Sequence, residues 1–446
     1  MSIKPEMATS TSGFSRWAEK VFKLSQNKTN VRTEIVAGFT TFMTMAYVLI
    51  VNPQILSNTG MDKGALFSAT ALSAAIATLV MAFHANYPFA LAPGMGLNAF
   101  FAFTVVLGMK YPWQVALTAI LIEGLIFILL SVTPVREMIV NAIPLTIKHA
   151  VSVGIGFFIA FIGVRSAGIV VNSEATGVTL GNLKSPEVLL AIIGLIIMGY
   201  LLARGVKGAL LIGILITTLL GIPLKVTPIP SSIISAPPSL SPIFFKFDFS
   251  KVLTGEFLIV MFTFLFVDMF DTVGTLVGVA SKADMLDKDG KLPRARQALL
   301  ADAIGTTFGA ILGTSTVTTY VESAAGVAEG GRTGLTAFTV AVLMLLSLFF
   351  APIFTIVPSA ATAPALIIIG LFMLSPIFKI NFEDYTEAIP AFLTIIMMPF
   401  TYSIAEGLVF GIVSYVVLKI ISGRYKEVSG TMYVLAILFI LKSILG

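Results

Sequence analysis

Cysteine is absent from this 446-residue chain, and histidine occurs only as His84 and His149. No disulfide framework, thiolate metal site or thiol nucleophile can form. The same scarcity argues against a histidine-rich metal centre. Charge is sparse as well. Only 11% of residues are charged and 57% are hydrophobic, whereas an ordinary soluble domain is about 25% charged. Stretches 64–109 and 333–378 contain no Asp, Glu, Lys or Arg at all. Each is long enough for two membrane crossings of about 20 residues. The chain therefore reads as an all-α polytopic membrane protein. No phosphate loop ending in Gly-Lys-Ser/Thr is present, which argues against ATP-driven transport by this chain. The first thirty residues are polar and basic, without the apolar core of a cleavable signal peptide. Residues 12–24 are expected to form a short amphipathic helix on the membrane surface. The net charge of +5 is explained by the positive-inside rule without a nucleic-acid partner.

Apolar segments bounded by charge, Pro or Gly fall at 34–55, 65–84, 88–108, 113–132, 147–165, 187–203 and 207–223. A Pro/Ser-rich stretch follows, and its Pro237 and Pro238 mark a loop. Further segments fall at 254–280, 296–312, 313–328, 334–351, 360–375, 386–400 and 402–421. The last apolar piece, 432–445, is short enough to be interfacial. This layout predicts 14 transmembrane segments, seven on each side of the loop. With the N-terminus in the cytoplasm, twenty of the 28 basic residues fall inside and seven outside, the expected bias. Both termini are then cytoplasmic. A seven-span half repeated in sequence must be inverted in the membrane, a plan common among secondary transporters.

Such carriers place substrate near the midplane, at interrupted spans in matching positions of the two halves. Here the third span of the first half is interrupted by Pro93, Gly94 and Gly96. The third span of the second half, from Gly313 to Glu322, is rich in β-branched and hydroxyl residues, which favour extended backbone. These broken spans 3 and 10 are each expected to be an extended piece followed by a half-helix. The half-helix would aim its N-terminal dipole at the membrane centre.

Ionisable residues inside spans are expensive and usually functional. Asp268 and Asp271 sit three apart, roughly on one helix face. Two carboxylates side by side in an apolar medium cannot both stay ionised cheaply, which suits a proton-coupled carrier. The bland alternative is a helix-orienting contact. Glu322, at the break in span 10, can accept N–H donors from a polar substrate; the alternative is a helix cap. The amide of Asn98 can both donate and accept, or bridge two broken helices. Thr44, Thr272, Thr318 and Thr319 are candidates to line the site, although hydroxyls also bond back to their own helices. Glu123 is expected to pair with another span, His84 and His149 to sit at the interface, and Phe100 or Tyr320 to be available for stacking. The basic loop 282–296 is too short for a calcium loop and reads as solvated.

At these segments the sequence resembles the AzgA-like purine (adenine/guanine/hypoxanthine) permease family. That branch belongs to the nucleobase–cation symporter type 2 and xanthine/uracil permease superfamily. Stretches 34–47, 92–101, 265–275, 313–323 and 330–334 carry the likeness. The resemblance implies a 7+7 inverted repeat with core and gate domains. A cytoplasmic segment (1–33) precedes core spans 1–4 (34–132) and gate spans 5–7 (133–223). An extracellular loop (224–253), core spans 8–11 (254–351), gate spans 12–14 (352–421) and a C-terminal segment (422–446) follow. It implies purine uptake by proton symport with an elevator-like cycle in the cell membrane, often within a homodimer, and no cofactor. Carried over by position, the resemblance nominates Asn98, Asp268 and Glu322 to contact base or proton, with Asp271 close behind; Thr44, Thr272 and Thr319 join them only on the reading of the residues given above. In some relatives the first acidic position of span 8 is Asn, which moves the coupling role toward Asp271. The competing readings are a uracil or xanthine carrier, an anion transporter of the same fold, a channel or scaffold, and a membrane enzyme. Carboxylates repel anions, and no nucleophile–base pair is evident.

Overall fold

The computed structural model describes residues 13–131, 144–230, 232–282, 285 and 292–445. The expected boundary at 132/133 and most of the basic loop, 287–291 included, lie outside them. Helix α1 (Gly13–Phe22) precedes α2 (Val31–Met45), which Asn30 caps by accepting Thr33 N at 3.0 Å. A turn at Ala46–Tyr47 separates α2 from α3 (Val48–Leu56). Asp62 caps α4 (Lys63–Val80), which loosens into a π-helical turn, Met81–Ala85, and stops at left-handed Asn86. Strand β1 (Leu91–Pro93) leads into α5 (Met95–Ala99) and a π-helical run to Gly108. Then come α6 (Trp113–Ser131), α7 (Leu145–Ser166), the hairpin β2 (Val170–Ser173)–β3 (Gly177–Leu180), α8 (Pro186–Ala203) and α9 (Ala209–Gly221).

The second half opens with α10 (Gly255–Lys282) and α11 (Ala295–Leu312). Strand β4 (Val317–Thr319) and α12 (Ser323–Ala328) follow, then α13 (Gly334–Ser347), α14 (Ala351–Thr355) and α15 (Ser359–Phe372). The chain closes with α16 (Tyr385–Thr401), α17 (Ile404–Ile421) and α18 (Gly430–Leu445). Eight helical segments among the described residues are long and apolar enough to cross a membrane. Met95–Gly108 and Ala209–Gly221 are shorter apolar helices. The molecule is thus a mostly helical, multi-pass membrane protein. Among the described residues it departs from all-α in four short strands: β1 and β4 lie where Pro/Gly and β-branched runs interrupt a span and resist helix, and β2 and β3 form a hairpin in the connection between α7 and α8.

Buried polar side chains sew the helices together. Glu34 in α2 accepts Arg332 N (2.8 Å), Thr333 N (3.2 Å) and Thr336 N (3.2 Å), satisfying the exposed donors at the start of α13. Lys419, fully buried in α17, is neutralised by Glu387 and Glu427, each at 2.7 Å. The Pro/Ser-rich stretch folds over helix ends. Ser68 donates to Pro238 O (2.7 Å) and Phe245 N to Ile311 O (2.9 Å).

Candidate functional site

The two interrupted segments meet as an antiparallel pair, with Leu91 opposite Thr319, Ala92 opposite Thr318 and Pro93 opposite Val317. Breaking two helices in an apolar interior releases main-chain polar groups that must find partners. The pairing supplies them. Gly94 N donates to Thr316 O (3.0 Å) and Tyr320 N to Ala90 O (2.9 Å). The Tyr320 hydroxyl donates to Pro93 O at 2.5 Å.

Beside this pair lies a cavity of about 110 Å³. One water needs about 10–15 Å³ on the same footing, so a small ring system fits. Gly94 to Leu97 at the start of α5, Asp271 and Thr275 on α10, and Thr318 to Glu322 form one wall. Tyr47 joins them, while Ile155 of α7 and Ile369, Phe372 and Met373 at the end of α15 close the other side. Glycine is required at the start of α5. A Cβ at Gly94 would lie 2.8 Å from Thr318 Cγ2, and one at Gly96 2.7 Å from Ile155 Cγ2. The first N–H groups of a helix have no intrahelical acceptor, so α5 offers donors to the cavity.

The expected site residues divide. Glu322, Asp271, Thr318 and Thr319 line the cavity. Glu322 Oε1 accepts the Tyr47 hydroxyl at 2.6 Å. Thr319 is 2% exposed, and its hydroxyl is without a protein partner. Asp268 does not line the cavity, although it lies roughly on the same helix face as Asp271. Three helical steps leave the two Asp about 60° apart, enough to put Asp271 in the wall and Asp268 behind it. Thr272 also stands behind the wall. Its hydroxyl lies 2.7 Å from Asp302 Oδ1, 2.7 Å from Thr318 Oγ1 and 3.3 Å from Asp268 Oδ1.

Asn98 stands outside the cavity as well. It is fully buried, its Oδ1 accepts the Ser315 hydroxyl, and it is not among the cavity-lining residues. It bridges the two broken segments, which is the structural alternative for that amide. Thr44 bonds back to Thr41 O (2.8 Å) and reaches only the main-chain oxygen of Glu322 (3.4 Å). Glu123 accepts the Thr316 hydroxyl at 2.9 Å. Phe100 packs edge-on against Phe264, ring centres 4.8 Å apart, and does not line the cavity.

Sequence reasoning missed Tyr47 and Asp302. Tyr47 carried a signal. A tyrosine in an aliphatic span needs a partner for its hydroxyl, and the acids already singled out were available. Asp302 lies in the segment 296–312 and would have been found by extending the search for intramembrane acids to that span.

Comparison with known proteins assigns the chain to a family. Residues 32–410 match the model of the Permease family. The chain is 54% identical over 427 residues to MJ0326 of Methanocaldococcus jannaschii, a protein named as a permease, with 96% of this chain and 98% of that one covered. It is 47% identical over 431 residues to the guanine/hypoxanthine permease PbuG of Bacillus subtilis, covering 94% and 98%. It is 45% identical over 434 residues to the adenine permease AdeP of Escherichia coli, covering 97% of each. Among solved structures, the transmembrane domain of the cyanobacterial bicarbonate transporter BicA superposes with a TM-score of 0.63 at 16% identity, covering 85% of this chain and 97% of that one. That likeness concerns the fold alone. The chain therefore belongs to the permease family, in the branch that includes the adenine and guanine/hypoxanthine permeases.

Proposed function

We propose that the protein imports purine nucleobases, hypoxanthine and guanine or adenine, across the cell membrane by proton symport. The carrying observation is the charge of the cavity. Its described lining residues include Asp271 and Glu322 and no Lys, Arg or His. A purine is planar and neutral, with N–H donors on one edge and acceptors on another. Glu322 accepts an N–H, the start of α5 donates to the acceptor edge, and Thr319 supplies a hydroxyl that has no competing partner. Phe372, Met373 and Ile155 cover the ring faces. Asp271 takes the proton on the outside and releases it inside, so that base and proton move together. Asp268, Thr272 and Asn98 hold the wall behind them.

In this reading the chain crosses the membrane fourteen times as a 7+7 inverted repeat, with both termini cytoplasmic. Elements from spans 1, 3, 8 and 10 form the core side of the cavity, and α7 and α15 the gate side. The core moves against the gate in an elevator-like cycle within a homodimer. An anion substrate is disfavoured by the two carboxylates, although the fold is shared with a bicarbonate transporter.

The test is initial-rate uptake of labelled hypoxanthine into proteoliposomes, competed with adenine, guanine, xanthine and uracil. Saturable accumulation driven by an inward proton gradient, with competition by particular purines, supports the reading and names the substrate. Competition by uracil or xanthine alone shifts the substrate. Uptake indifferent to the proton gradient at controlled voltage and sodium removes proton symport.

A further inference from the structure

Helix α1 lies outside the cavity, yet two kinds of contact fix it. Asn86 Nδ2 donates to Phe22 O (3.0 Å) while its Oδ1 accepts Gly334 N (2.7 Å), so one amide ties the end of α1 to the start of α13. Phe22 stacks on Phe83 with ring centres 5.7 Å apart, and Trp17 meets Phe338 edge-on at 5.6 Å. The attachment points are the turn that ends α4 and the first turns of α13. Helix α1 therefore packs against the ends of apolar helices, where a hydrocarbon slab about as thick as those helices are long would give way to headgroups.

Its side chains divide by direction. Ala18 and Phe22 are buried against the body of the protein. Phe14, Trp17 and neighbouring Phe83 remain partly exposed, at 45%, 36% and 51%. Arg16 and Lys20 stand one turn apart on α1, Lys23 follows just past its end, and all three are exposed. Among the described residues none of these cations forms an ion pair. Glu19, the acid on this helix, is engaged elsewhere, accepting Ser25 N at 3.1 Å. Exposed aromatics beside unpaired cations at a bilayer boundary are the makings of a surface for anionic lipid.

We propose that Arg16, Lys20 and Lys23 bind the phosphodiester headgroups of anionic phospholipids, with Phe14 and Trp17 seated in the adjoining acyl boundary. The lipid then holds α1 and, through Asn86 and the aromatic contacts, the ends of α4 and α13. Helix α4 supports the cavity, since the Thr78 hydroxyl accepts Leu91 N at 3.0 Å in β1. The inference rests on the chain being a membrane protein and not on the purine reading.

The experiment needs no transport. Trp17 and Trp113 are the two tryptophans, so Trp113→Phe leaves Trp17 as the reporter. The variant is reconstituted in phosphatidylcholine containing roughly a third phosphatidylglycerol, the brominated chains being carried by one lipid or the other. The expected result is stronger quenching of Trp17 by brominated phosphatidylglycerol. A local enrichment of about fivefold corresponds to one basic side chain at an anionic surface. The preference should fall away as salt is raised and in an added Arg16→Gln/Lys20→Gln/Lys23→Gln variant. Equal quenching by both lipids overturns the proposal, and so does a preference that survives the triple substitution. If that variant fails to fold, the salt titration decides by itself: a preference that high salt leaves intact overturns the proposal.

Discussion

The Tyr47 hydroxyl holds one oxygen of Glu322, a residue that lines the cavity. Replacing Tyr47 by Phe removes that single donor. The ring is 2% exposed and packed in the main core, so its packing is retained. A hydrogen bond to a charged group contributes about 1.5–3 kcal/mol net, and about 1.4 kcal/mol is a factor of ten in affinity. If Tyr47 presents Glu322 to the base, KM for purine uptake rises by roughly 10- to 150-fold. The maximal rate changes little, because the lost orientation affects bound substrate and transition state alike. Initial-rate uptake against substrate concentration measures both quantities, with a thermal melt to verify folding. Tyr320→Phe is the comparison. It deletes a hydroxyl bound to a main-chain carbonyl, a neutral bond of about 0.5–1.5 kcal/mol, and should alter melting more than KM. A folded Tyr47→Phe protein whose KM stays within about twofold of the parent refutes the reasoning, since that is only ~0.4 kcal/mol.

Further expectations concern other parts of the molecule. Asp271→Asn should abolish gradient-driven accumulation while preserving exchange of labelled for unlabelled purine across the membrane; loss of both would place Asp271 in binding instead. Gly96→Ala forces a Cβ to 2.7 Å from Ile155 Cγ2 and should destabilise by about 1–3 kcal/mol, as overpacking does. A second change, Ile155→Ala, should restore part of the melting temperature, and no restoration would mean the strain lies elsewhere. At the loop before α16, hydrogen bonds from Arg424 and Thr386 hold the Asp384 carboxyl at about 2, below its ordinary 3.8. A depressed carboxyl stabilises above its unfolded value and loses that contribution as pH falls through the folded one. The melting difference between the parent and Asp384→Asn should be constant above about pH 4 and close between about 4 and 2. A difference that persists unchanged at pH 2 would remove the pairing as its cause.

Hydropathy made most helices legible, because a span must satisfy its backbone internally and cover itself with apolar side chains. It marked the interruptions at Pro93–Gly96 and 313–322 for the same reason. Side-chain direction was harder to read. Asp268 and Asp271 differ by about 60° on α10, and periodicity cannot decide which meets a cavity and which meets Thr272. Asn98 looked like a ligand because an amide at a helix break can bond to anything. In the structure its oxygen accepts the hydroxyl of Ser315, more than two hundred positions away. The break beside Tyr47 was hard to see in the uncharged run from Ile35 to Ile55, because the turn at Ala46–Tyr47 has no Gly or Pro of its own.

The hydroxyl run in the second interrupted segment shows why a particular composition was needed there. Thr314 reaches Asn52 on α3 (3.0 Å), Ser315 reaches Asn98 on α5, and Thr316 reaches Glu123 on α6. Thr318 meets Thr272 on α10, while the Thr319 hydroxyl has no protein partner. Extended backbone sends successive side chains to opposite sides, so a short run can address several helices at once. A helix would confine most of those contacts to one stripe. Small hydroxyl residues both favour the extended form and satisfy the polar groups around it. The segment that carries Glu322 is therefore held by its neighbours on either side, and of the two threonine hydroxyls in the pair β1–β4 that of Thr319 is the one without a protein partner.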